Sequence, residues 1–493
     1  MKSFLLFLAG TASLFAGCSP ERPLRIEVTD RVISTNYVGN GVEWDPYDEA
    51  GAWGVEVNDA DWEKLFKRLD FMRPGYVRCM INSPYRYYDP ATGRYERMRN
   101  LASLRRLLQY CQDRGITVAY GEYNPPTWEM KDSQQWVEMS VDYLHMLVCE
   151  LGFDCIRYFI IFNEPDGNWA STNGDYALWS SMARRFDAEM ARYPDLRGRV
   201  SLAAPDVVMN YRNPASDYDT AGWVARSAQE LDSLIGIYDV HAYPGQHEVR
   251  SGAYAERLRH IRSVVPASKQ LILGEAGYKY TAPEDSLLKA EYDRRVVGHP
   301  FTRGSDCNML CYDYFYGLDM PLLAIEVMNS GLSGVAAWML DDAMHSNGDS
   351  GRTEDLKIWG MWNILGEELF GDASQEELRP WFYTWSLMCR YFPAGSEILA
   401  CDAPQREGLR ISAARSGGGC SVAAVNFSPQ PCQVEILLPE GFEQGVLYRY
   451  TEQTRACDAE GFPEPCERGI SGPTFRTTIP AESFLLLTNI ETI

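Results

Sequence analysis

Two glutamates, each placed after a short apolar run, are the residues in this sequence best suited to chemistry. Glu164 closely follows the run 158–162, and Glu275 closely follows the run 271–273. A pair of carboxyl groups can cleave an acetal, because one protonates the leaving oxygen while the other places negative charge beneath the anomeric carbon. This chemistry requires a protonated Glu164 and an ionised Glu275, so the fold must hold the two side chains together in different surroundings.

The elements that must position these glutamates form a repeating pattern. Short β-branched or aromatic runs alternate with amphipathic stretches from about residue 37 to residue 392, which predicts a parallel sheet. The predicted strands are Tyr37–Trp44, Tyr76–Ile81, Thr117–Tyr120, Ile156–Phe162, Val200–Ala204, Ile237–His241, Leu271–Gly274 and Val335–Leu340. Eight such units predict an α/β fold, the closed (β/α)8 TIM barrel.

The predicted helices between these strands have one apolar face and caps at their ends. In Asn100–Arg114, for example, Leu104 and Leu108 share a face, and Gly115 provides the C-terminal cap. The other predicted helices are Asp61–Phe71, Gln134–Leu151, Tyr176–Tyr193, Ala221–Leu234, Ala253–Val265, Pro321–Asn329 and Pro380–Tyr391. An open doubly wound sheet is disfavoured, because the chain contains neither a dinucleotide fingerprint nor a P-loop motif.

In a barrel of this kind the active groups lie at the carboxyl ends of the strands. Glu164 and Glu275 fall at the ends of the fourth and seventh predicted strands, so both carboxylates are expected to point into the mouth. The structural alternative for each residue alone is that Glu164 caps the next segment and Glu275 joins a surface ion pair. The same residue type at two strand ends favours a catalytic pair.

The strand order across residues 37–392 and the tripeptide Asn163-Glu164-Pro165 resemble clan A of the retaining glycoside hydrolases. This resemblance implies that Glu164 is the acid/base and that Glu275 is the nucleophile. Asn163 is then placed to bind the 2-hydroxyl of the sugar, a hydrogen bond that strengthens in the transition state.

Three further residues match the pattern of that clan. Arg78 looks like the strand-two arginine beside the nucleophile, and Tyr243 looks like the strand-six tyrosine hydrogen-bonded to it. Trp338 resembles the strand-eight tryptophan that forms the floor of the first sugar subsite. The run that begins at Arg379 and the β-rich segment after it are similar in layout to glycoside hydrolase families 30, 39, 51 and 79.

Several aromatic residues fall at or just after predicted strand ends, where flat rings suit the faces of sugars. These candidates for substrate binding are Trp44, Trp128, Trp169, Trp338 and Trp362, and the alternative for each is packing in the core. His241 is expected either to contact substrate or to orient Tyr243. Asp341 and Asp342 follow the eighth strand, where they either bind a sugar hydroxyl or lie in a solvated loop.

The chain divides into four predicted parts: an export signal at 1–18, a strand within 22–36, the catalytic barrel at 37–392 and a β-sandwich at 393–493. The predicted sandwich strands are Leu409–Ala414, Ser421–Phe427, Gln433–Leu438, Val446–Tyr450, Thr474–Ile479 and Ser483–Leu487. Arg25–Ser34 also alternates as a strand, and we expect it to pair with the sandwich.

The N-terminal residues have the pattern of an export signal. Lys2 precedes the apolar run Phe4–Phe15, and the segment Leu14–Cys18 resembles a bacterial lipobox in which Cys18 becomes lipidated. This predicts a lipoprotein of the outer membrane or cell surface, or else a periplasmic protein, whose only membrane attachment is the lipid. A plain secretory peptide is the alternative.

The net charge, the absence of metal-binding motifs and the cysteines of the sequence indicate which partners, cofactors and disulfides to expect. The formal net charge of −22 argues against nucleic acid and favours a neutral glycan. No metal or cofactor is predicted, because the chain has no CxxC, His-x-His or His-Glu-x-x-His motif. The likelier disulfide joins Cys457 to Cys466, and Cys420 with Cys432 is a second candidate.

The sequence therefore predicts a retaining O-glycoside hydrolase that cleaves a β-linked oligosaccharide or polysaccharide outside the cytoplasm by double displacement. Two alternatives remain open. One is a non-catalytic, surface glycan-binding lipoprotein, and the other is a transglycosylase with the same site. The sugar, the linkage, internal or terminal cleavage and the oligomeric state are left open by the sequence.

Overall fold

A computed structural model describes residues 22–48, 54–299, 302, 307–347 and 352–491. Within these ranges, parallel strands close into an eight-stranded barrel, in which the last strand pairs with the first. The barrel strands are β1 (Gly39–Glu43), β2 (Tyr76–Ile81), β3 (Thr117–Glu122), β4 (Ile156–Ile160), β5 (Ser201–Val208), β6 (Ile235–Ala242), β7 (Leu271–Ala276) and β8 (Gly334–Ala337). The predicted TIM barrel is confirmed.

The interior of the barrel is filled by one side chain or more from each of seven strands. These inward residues form a single buried cluster of Tyr76, Met80, Ala119, Ile160, Ala203, Ile237, Ile272 and Ala336. Because side chains alternate along a strand, the flanking residues point outward. Leu271 and Leu273, on either side of Ile272, belong to the larger core between strands and helices.

One long helix follows each barrel strand. These helices are α1 (Asp59–Met72), α2 (Ala102–Arg114), α3 (Gln134–His145), α4 (Tyr176–Met190), α5 (Thr220–Glu230), α6 (Ala253–Val264), α7 (Tyr316–Asn329) and α8 (Pro380–Tyr391). Shorter or additional helices are Ser83–Arg86, Gln246–Ser251, Ser286–Gly298 and Gly366–Phe370. The caps follow the sequence, since Asn58 forms a capping box at α1 and Gly115 ends α2 in the left-handed conformation.

Most helices differ from their predicted bounds by a few residues at one end or both, and α7 and α3 differ most. α7 begins at Tyr316, five residues before the predicted start, and Pro321 lies inside it. α3 ends at His145, and the chain continues as a π-helical segment, Met146–Glu150. Helix Ser286–Gly298 was not predicted, because its apolar residues do not form a stripe and none of them is buried.

The segment after the barrel is a β domain. Its strands are β9 (Glu397–Asp402), β10 (Leu409–Ser416), β11 (Gly419–Asn426), β12 (Cys432–Leu437), β13 (Gly445–Tyr450), β14 (Glu467–Ile470), β15 (Thr474–Ile479) and β16 (Ser483–Thr488). The N-terminal strand Leu24–Ser34 lies antiparallel to β9 and parallel to β12.

These strands form one continuous sheet in the order β14-β13-β16-β11-β10-β9, the N-terminal strand, β12 and β15. The two halves of the sheet share one apolar core, in which Leu485 and Leu487 of β16 join Val434 and Ile436 of β12. The sheet therefore folds over on itself and buries its inner face as a sandwich does. Strands β9 and β14 were missed in the sequence.

The β domain packs against α7. This helix is buried over nearly its whole length, and at its surface Arg410 Nε of β10 donates to Glu326 Oε1 at 2.8 Å. The hydroxyl of Tyr450 donates to the carbonyl oxygen of Tyr314 at 2.9 Å, and the two rings stack with centroids 4.6 Å apart. These contacts join the two parts of the chain.

Two groups of predictions concern cysteines and the N-terminus. Cys457, Cys466 and Cys420 are free thiols in the described part of the chain, so neither predicted disulfide is formed in the structure. Cys18 and the whole signal segment 1–18 lie outside the described residues. Among the helices that are described, none has the length and apolar character needed to cross a membrane.

Candidate active site

A β-bulge in β7 turns Glu275 into the mouth of the barrel. One extra residue, Gly274, lies between the pairs that Leu273 and Glu275 make with β6. Without this bulge, strict alternation from Leu273 would place Glu275 on the outward face. Only glycine fits at 274, because a Cβ there would lie 2.2 Å from Oδ1 of Asp239.

A second bulge places Asp206 in the same site. In β5, Asp206 is the extra residue between Pro205 and Val207, which pair with successive residues of β6. Its φ of 63° lies in the left-handed region, which is uncommon for residues other than glycine. This side chain is almost fully buried and is directed toward Arg78 and His241.

Arg78 of β2 is fully buried and joins four groups of the site. Its Nη1 donates to Oε1 of Glu275 at 2.6 Å and to both carboxylate oxygens of Glu43 at 2.9 Å. Its Nη2 donates to Oδ1 of Asn163 at 2.6 Å and to Oδ2 of Asp206 at 3.1 Å. Because the guanidinium group is planar, these bonds fix the side chains around it in one arrangement.

The surroundings of Glu275 favour its ionised form. Burial by itself would raise the pKa of Glu275, but the positive charges of His241 and Arg78 outweigh burial. The hydroxyl of Tyr243 donates to Oε2 at 2.7 Å and acts in the same direction. The pKa of Glu275 is therefore held below its usual range, and this carboxylate is charged at neutral pH.

His241 lies between the two candidate glutamates. Its Nδ1 is 2.9 Å from Oε1 of Glu164 and 3.5 Å from Oε2 of Glu275, while its Nε2 is 3.0 Å from Oδ1 of Asp206. Burial lowers the pKa of His241 and the charge of Arg78 adds to this, but the negative charges of Glu275 and Asp206 raise that pKa well above its usual value. The imidazole is therefore a buried cation.

Two other buried acids, Glu43 and Asp239, lie beside these charged groups. Burial raises the pKa of Glu43 well above its usual range, and the charges of Asp45 and Glu275 oppose the lowering effect of Arg78. Burial, followed by the charge of Asp206, raises the pKa of Asp239 to about 8. Asp239 is therefore largely protonated at neutral pH, and the cations at Arg78 and His241 face the carboxylates of Asp206 and Glu275.

Glu164 is held by contacts on both sides of its carboxylate. Its backbone is left-handed, with φ of 49°, and its N–H donates to Oδ2 of Asp206 at 3.3 Å. Nε1 of Trp169 donates to Oε2 of Glu164 at 2.6 Å on the exposed side, opposite His241. One oxygen of Glu164, Nδ1 of His241 and one oxygen of Glu275 all lie within 4.8 Å of one another.

The structure brings together most of the residues predicted for the site. Glu164, Glu275, Asn163, Arg78, His241 and Tyr243 form one connected cluster. Trp338 lies at the end of β8, almost buried, and its ring stacks on His345 with centroids 5.3 Å apart. Trp128 lies on the loop after β3 with 53% of its surface exposed.

Two of the predicted aromatic residues belong to the core. Trp44 is fully buried and packs edge-on against Phe66 of α1 and Tyr110 of α2, so its assignment to substrate binding is wrong. Trp362 is also fully buried, and its Nε1 donates to Oδ2 of Asp341 at 2.8 Å. A position at a strand end brings a residue near the mouth of the barrel. The packing of the surrounding helices then decides whether its ring faces the mouth or the core.

Asp341 and Asp342 are buried and structural. Asp341 also accepts from the hydroxyl of Tyr47 at 2.9 Å, and Asp342 is paired with Arg379. Neither carboxylate is free to bind a sugar hydroxyl, because its oxygens accept hydrogen bonds from the surrounding backbone and side chains.

Three acids of the site were not identified in the sequence: Glu43, Asp206 and Asp239. Each is a charged residue inside or beside an apolar strand, in Val42-Glu43-Trp44, Pro205-Asp206-Val207 and Tyr238-Asp239-Val240. A carboxyl group in such a position is buried and therefore needs a partner. That pattern is the signal by which they could have been found.

Metal binding has little support from these contacts. Two sets of residues in the site have ligand atoms close together, Glu164 with His241 and Glu275, and Asp206 with Asp239 and His241. Their ligand atoms are shared with His241 or Arg78, and a bound cation would meet both positive charges. A third set, His145, Cys149 and Asp195, lies on the outside of the barrel near the end of α3.

Comparisons with known proteins identify the fold. No protein-family model and no curated protein sequence matches the chain. Among solved structures, the catalytic domain of a family 30 xylanase C from Talaromyces cellulolyticus is similar with a TM-score of 0.62 at 12% identity, covering 94% of this chain and 99% of that one. A family 39 β-xylosidase from Caulobacter crescentus has a TM-score of 0.58 at 12% identity, with the same coverage of 94% and 99%.

An endo-β1,6-glucanase is similar with a TM-score of 0.60 at 13% identity, covering 95% of this chain and 94% of that one. Families 30 and 39 are two of those whose layout the sequence resembles. The similarity extends over both the barrel and the β domain, so the predicted fold of a closed barrel followed by a β domain is confirmed. No single family is fixed by it.

Proposed function

We propose that the protein is a retaining glycoside hydrolase, with Glu275 as the nucleophile and Glu164 as the acid/base. The observation that carries this proposal is the separation of the two carboxylates, since one oxygen of each lies within 4.8 Å of the other. Inverting enzymes need about 6.5–9.5 Å between their carboxyl groups to admit a water, whereas retaining enzymes have about 5–5.5 Å. The fold similarity to glycoside hydrolases supports the same conclusion.

In the first step, an oxygen of Glu275 attacks the anomeric carbon while Glu164 gives its proton to the leaving oxygen. The bond to the leaving group breaks as the ester bond to Glu275 forms. Arg78 and Tyr243 hold Glu275 ionised and oriented for this attack. Asn163, fixed by Arg78 through its Oδ1, is positioned to donate its amide N–H to the 2-hydroxyl of the sugar.

In the second step, Glu164 takes a proton from a water molecule, whose oxygen attacks the same anomeric carbon. The ester bond breaks, Glu275 leaves as a carboxylate, and the sugar keeps its original anomeric configuration. Trp338 supports the sugar bound at this centre. Nδ1 of His241 lies between the two carboxylates, 2.9 Å from Oε1 of Glu164 and 3.5 Å from Oε2 of Glu275, and so fixes their relative position.

The test is a screen for released reducing sugar on β-1,4-xylan, β-1,6-glucan and a set of 4-nitrophenyl glycosides. Each assay is matched with the Glu275→Gln protein, which retains the size of the side chain and has no nucleophile. Hydrolysis by the wild type alone, with proton NMR showing the substrate's anomer as first product, is expected. The opposite anomer would reject double displacement, and sugar binding without any hydrolysis would favour a glycan-binding protein.

We also propose that the protein acts on an extracytoplasmic, β-linked glycan and is anchored by a lipid at Cys18. The apolar run Phe4–Phe15 and the small residues before Cys18 support this proposal. The expected result is that the wild type sediments with membranes and incorporates labelled palmitate, while the Cys18→Ala protein does neither. A wild-type protein that is processed downstream of Cys18 and carries no lipid would contradict it.

A further inference from the structure

Trp169 lies against the exposed side of Glu164, and its position indicates where part of the substrate binds. Nε1 of Trp169 donates to Oε2 of Glu164, and 42% of the Trp169 surface is exposed. The other oxygen of Glu164 faces the buried His241. If Glu164 protonates the leaving oxygen, as in the proposed function on which this inference rests, the ring of Trp169 lies on the leaving-group side of the cleaved bond.

Trp169 is held in this position by its neighbours. The indole lies on Gly167, where a Cβ would come within 2.4 Å of Cε2 of the ring. On its other flank lies Tyr211, from the loop after β5, with ring centroids 4.5 Å apart and planes at 55°. Trp169 and Tyr211 together form an aromatic shelf, whose two rings are already in contact without a ligand.

A surface groove continues from this shelf. It has a volume of about 720 Å³ and lies between the loop after β5 and helix α6. Tyr211 belongs to both the shelf and the groove, and the groove lining also includes Arg212, Tyr218, Arg257 and His260. Aromatic faces bordered by guanidinium and imidazole groups suit a chain of sugars, which presents apolar ring faces and hydroxyls at their edges.

We propose that the aromatic shelf and the groove bind the sugars on the leaving-group side, so that the enzyme cleaves within a glycan chain. The shelf stacks the first sugar beyond the cleaved bond, and the groove holds the next one or two. An enzyme that removed only a terminal sugar from a small aglycone would have no use for a continuous surface of this length on that side.

The first experiment measures kcat/KM along a series of xylo-oligosaccharides or β-1,6-gluco-oligosaccharides, whichever the wild type hydrolyses, and on the matching glycosyl fluoride. The leaving group of the fluoride is a single atom, which reaches neither the shelf nor the groove. Trp169→Ala and Tyr211→Ala are expected to lower kcat/KM on tetra- to hexasaccharides by about 10-fold or more. Tyr211→Ala should leave the fluoride unchanged within about threefold, whereas Trp169→Ala, which also removes a hydrogen bond to Glu164, should lose more on long chains than on the fluoride.

Trp169→Phe separates stacking from hydrogen bonding, because it keeps a flat ring and removes the N–H that reaches Glu164. This variant should retain the dependence on chain length. Tyr193→Ala is the matched control, since the ring of Tyr193 packs at a tilt against His145 on the outside of the barrel and is remote from the site. Equal losses on the fluoride and on long chains in Trp169→Ala would overturn the proposal, as would an unchanged chain-length profile.

The second experiment distinguishes failure of this proposal from failure of the proposed function. Binding of the same oligosaccharides to the Glu275→Gln protein is measured by isothermal titration calorimetry, which needs neither turnover nor a tryptophan as reporter. Binding that is lost in the Glu275→Gln, Trp169→Ala double variant supports the shelf even if the wild type proves inactive. Hydrolysis by the wild type with undiminished binding in the double variant would reject the shelf alone.

The mode of cleavage is read from the wild-type protein on the soluble polysaccharide. Internal cleavage lowers viscosity long before many reducing ends appear, and releases a ladder of oligosaccharides. Release of monosaccharide from the start, with viscosity falling in proportion to product, would reject cleavage within the chain.

Discussion

His241 and Asp206 form a buried ion pair, with Nε2 of the imidazole 3.0 Å from Oδ1 of the carboxylate. Asp206 also accepts from Arg78 and from the backbone N–H of Glu164, so one side chain links Glu164 to the arginine and the histidine that contact Glu275. Burial works against ionisation of Asp206, but Arg78 and His241 hold its pKa below the usual range. Asp206 is thus a positioning residue that keeps two cations of the site compensated.

Replacing Asp206 with Asn is expected to damage both stability and activity. The change leaves the charges of Arg78 and His241 with one anion fewer in a buried site, which costs about 3–5 kcal/mol of unfolding free energy. Thermal unfolding measures this loss, and kcat is then compared at a temperature where both proteins are folded. The pKa of His241 is expected to fall, because one of the two carboxylates that raise it is gone, and NMR of the histidine ring protons detects this change.

Glu326→Gln is the matched control for that variant. It breaks another almost buried ion pair, with Arg410, at the interface between α7 and β10. We expect it to lower the melting temperature while leaving kcat and the pH profile of the folded enzyme unchanged. An Asp206→Asn protein that behaved in the same way would show Asp206 to be structural only.

Replacing Glu275 with Ala should abolish turnover and leave the fold intact. The apolar layers keep the barrel folded even though the loss of a buried anion beside Arg78 and His241 lowers its melting temperature. The nucleophile has no substitute, so kcat should fall by at least about 1,000-fold. Circular dichroism checks the fold. Azide should restore part of the rate by entering the vacated space and should give a glycosyl azide of inverted configuration. Near-normal activity without azide would exclude Glu275 as the nucleophile.

Replacing Glu164 with Ala should affect substrates according to their leaving groups. Loss of a general acid costs about 100- to 10,000-fold where the leaving oxygen needs a proton, and much less where the leaving group is an activated phenol. The measurement is a plot of kcat/KM against the acidity of the leaving phenol across a series of aryl glycosides, which should become steep in the variant. A uniform loss across the series would contradict the acid/base assignment.

The general arrangement of the site follows from the sequence because it depends on local patterns. Alternating strands and helices predict the barrel, and a glutamate at the end of each of two strands then locates the mouth. Glu275 is an instructive case, since the predicted strand ended at Gly274 and the bulge there is what turns the carboxylate inward.

The remaining features depend on contacts between distant parts of the chain. Asp206 and Arg78 are 128 residues apart, and Glu43 and Arg78 are 35 apart, so no local pattern connects them. Trp44 directly follows β1 and Trp169 lies on the loop after β4, yet Trp44 is packed under α1 and α2 while Trp169 is exposed beside Glu164. The packing of the helices decides which of the two tryptophans is buried, and the alternation pattern of a strand does not predict that packing.

The pH dependence of hydrolysis should reveal the surroundings of Glu275. The nucleophile must be ionised, so activity is lost as pH falls through the pKa of Glu275 in the folded enzyme. Burial opposes ionisation, but His241, Arg78 and the hydroxyl of Tyr243 lower this pKa, so the acidic limb of kcat/KM should lie below the usual range of a glutamate. In Tyr243→Phe the hydrogen bond to the charged form is lost, which moves that limb to higher pH.

The same variant should lower kcat/KM at its optimum by roughly 10-fold, since a hydrogen bond to a charged group contributes about 1.5 kcal/mol or more. Tyr120→Phe is the control, because it removes another buried tyrosine hydroxyl, one with no hydrogen-bond partner among the described residues. Its acidic limb should coincide with that of the wild type. If both variants leave the limb unmoved, Tyr243 does not control the ionisation of Glu275, and the imidazolium of His241 and the guanidinium of Arg78 suffice.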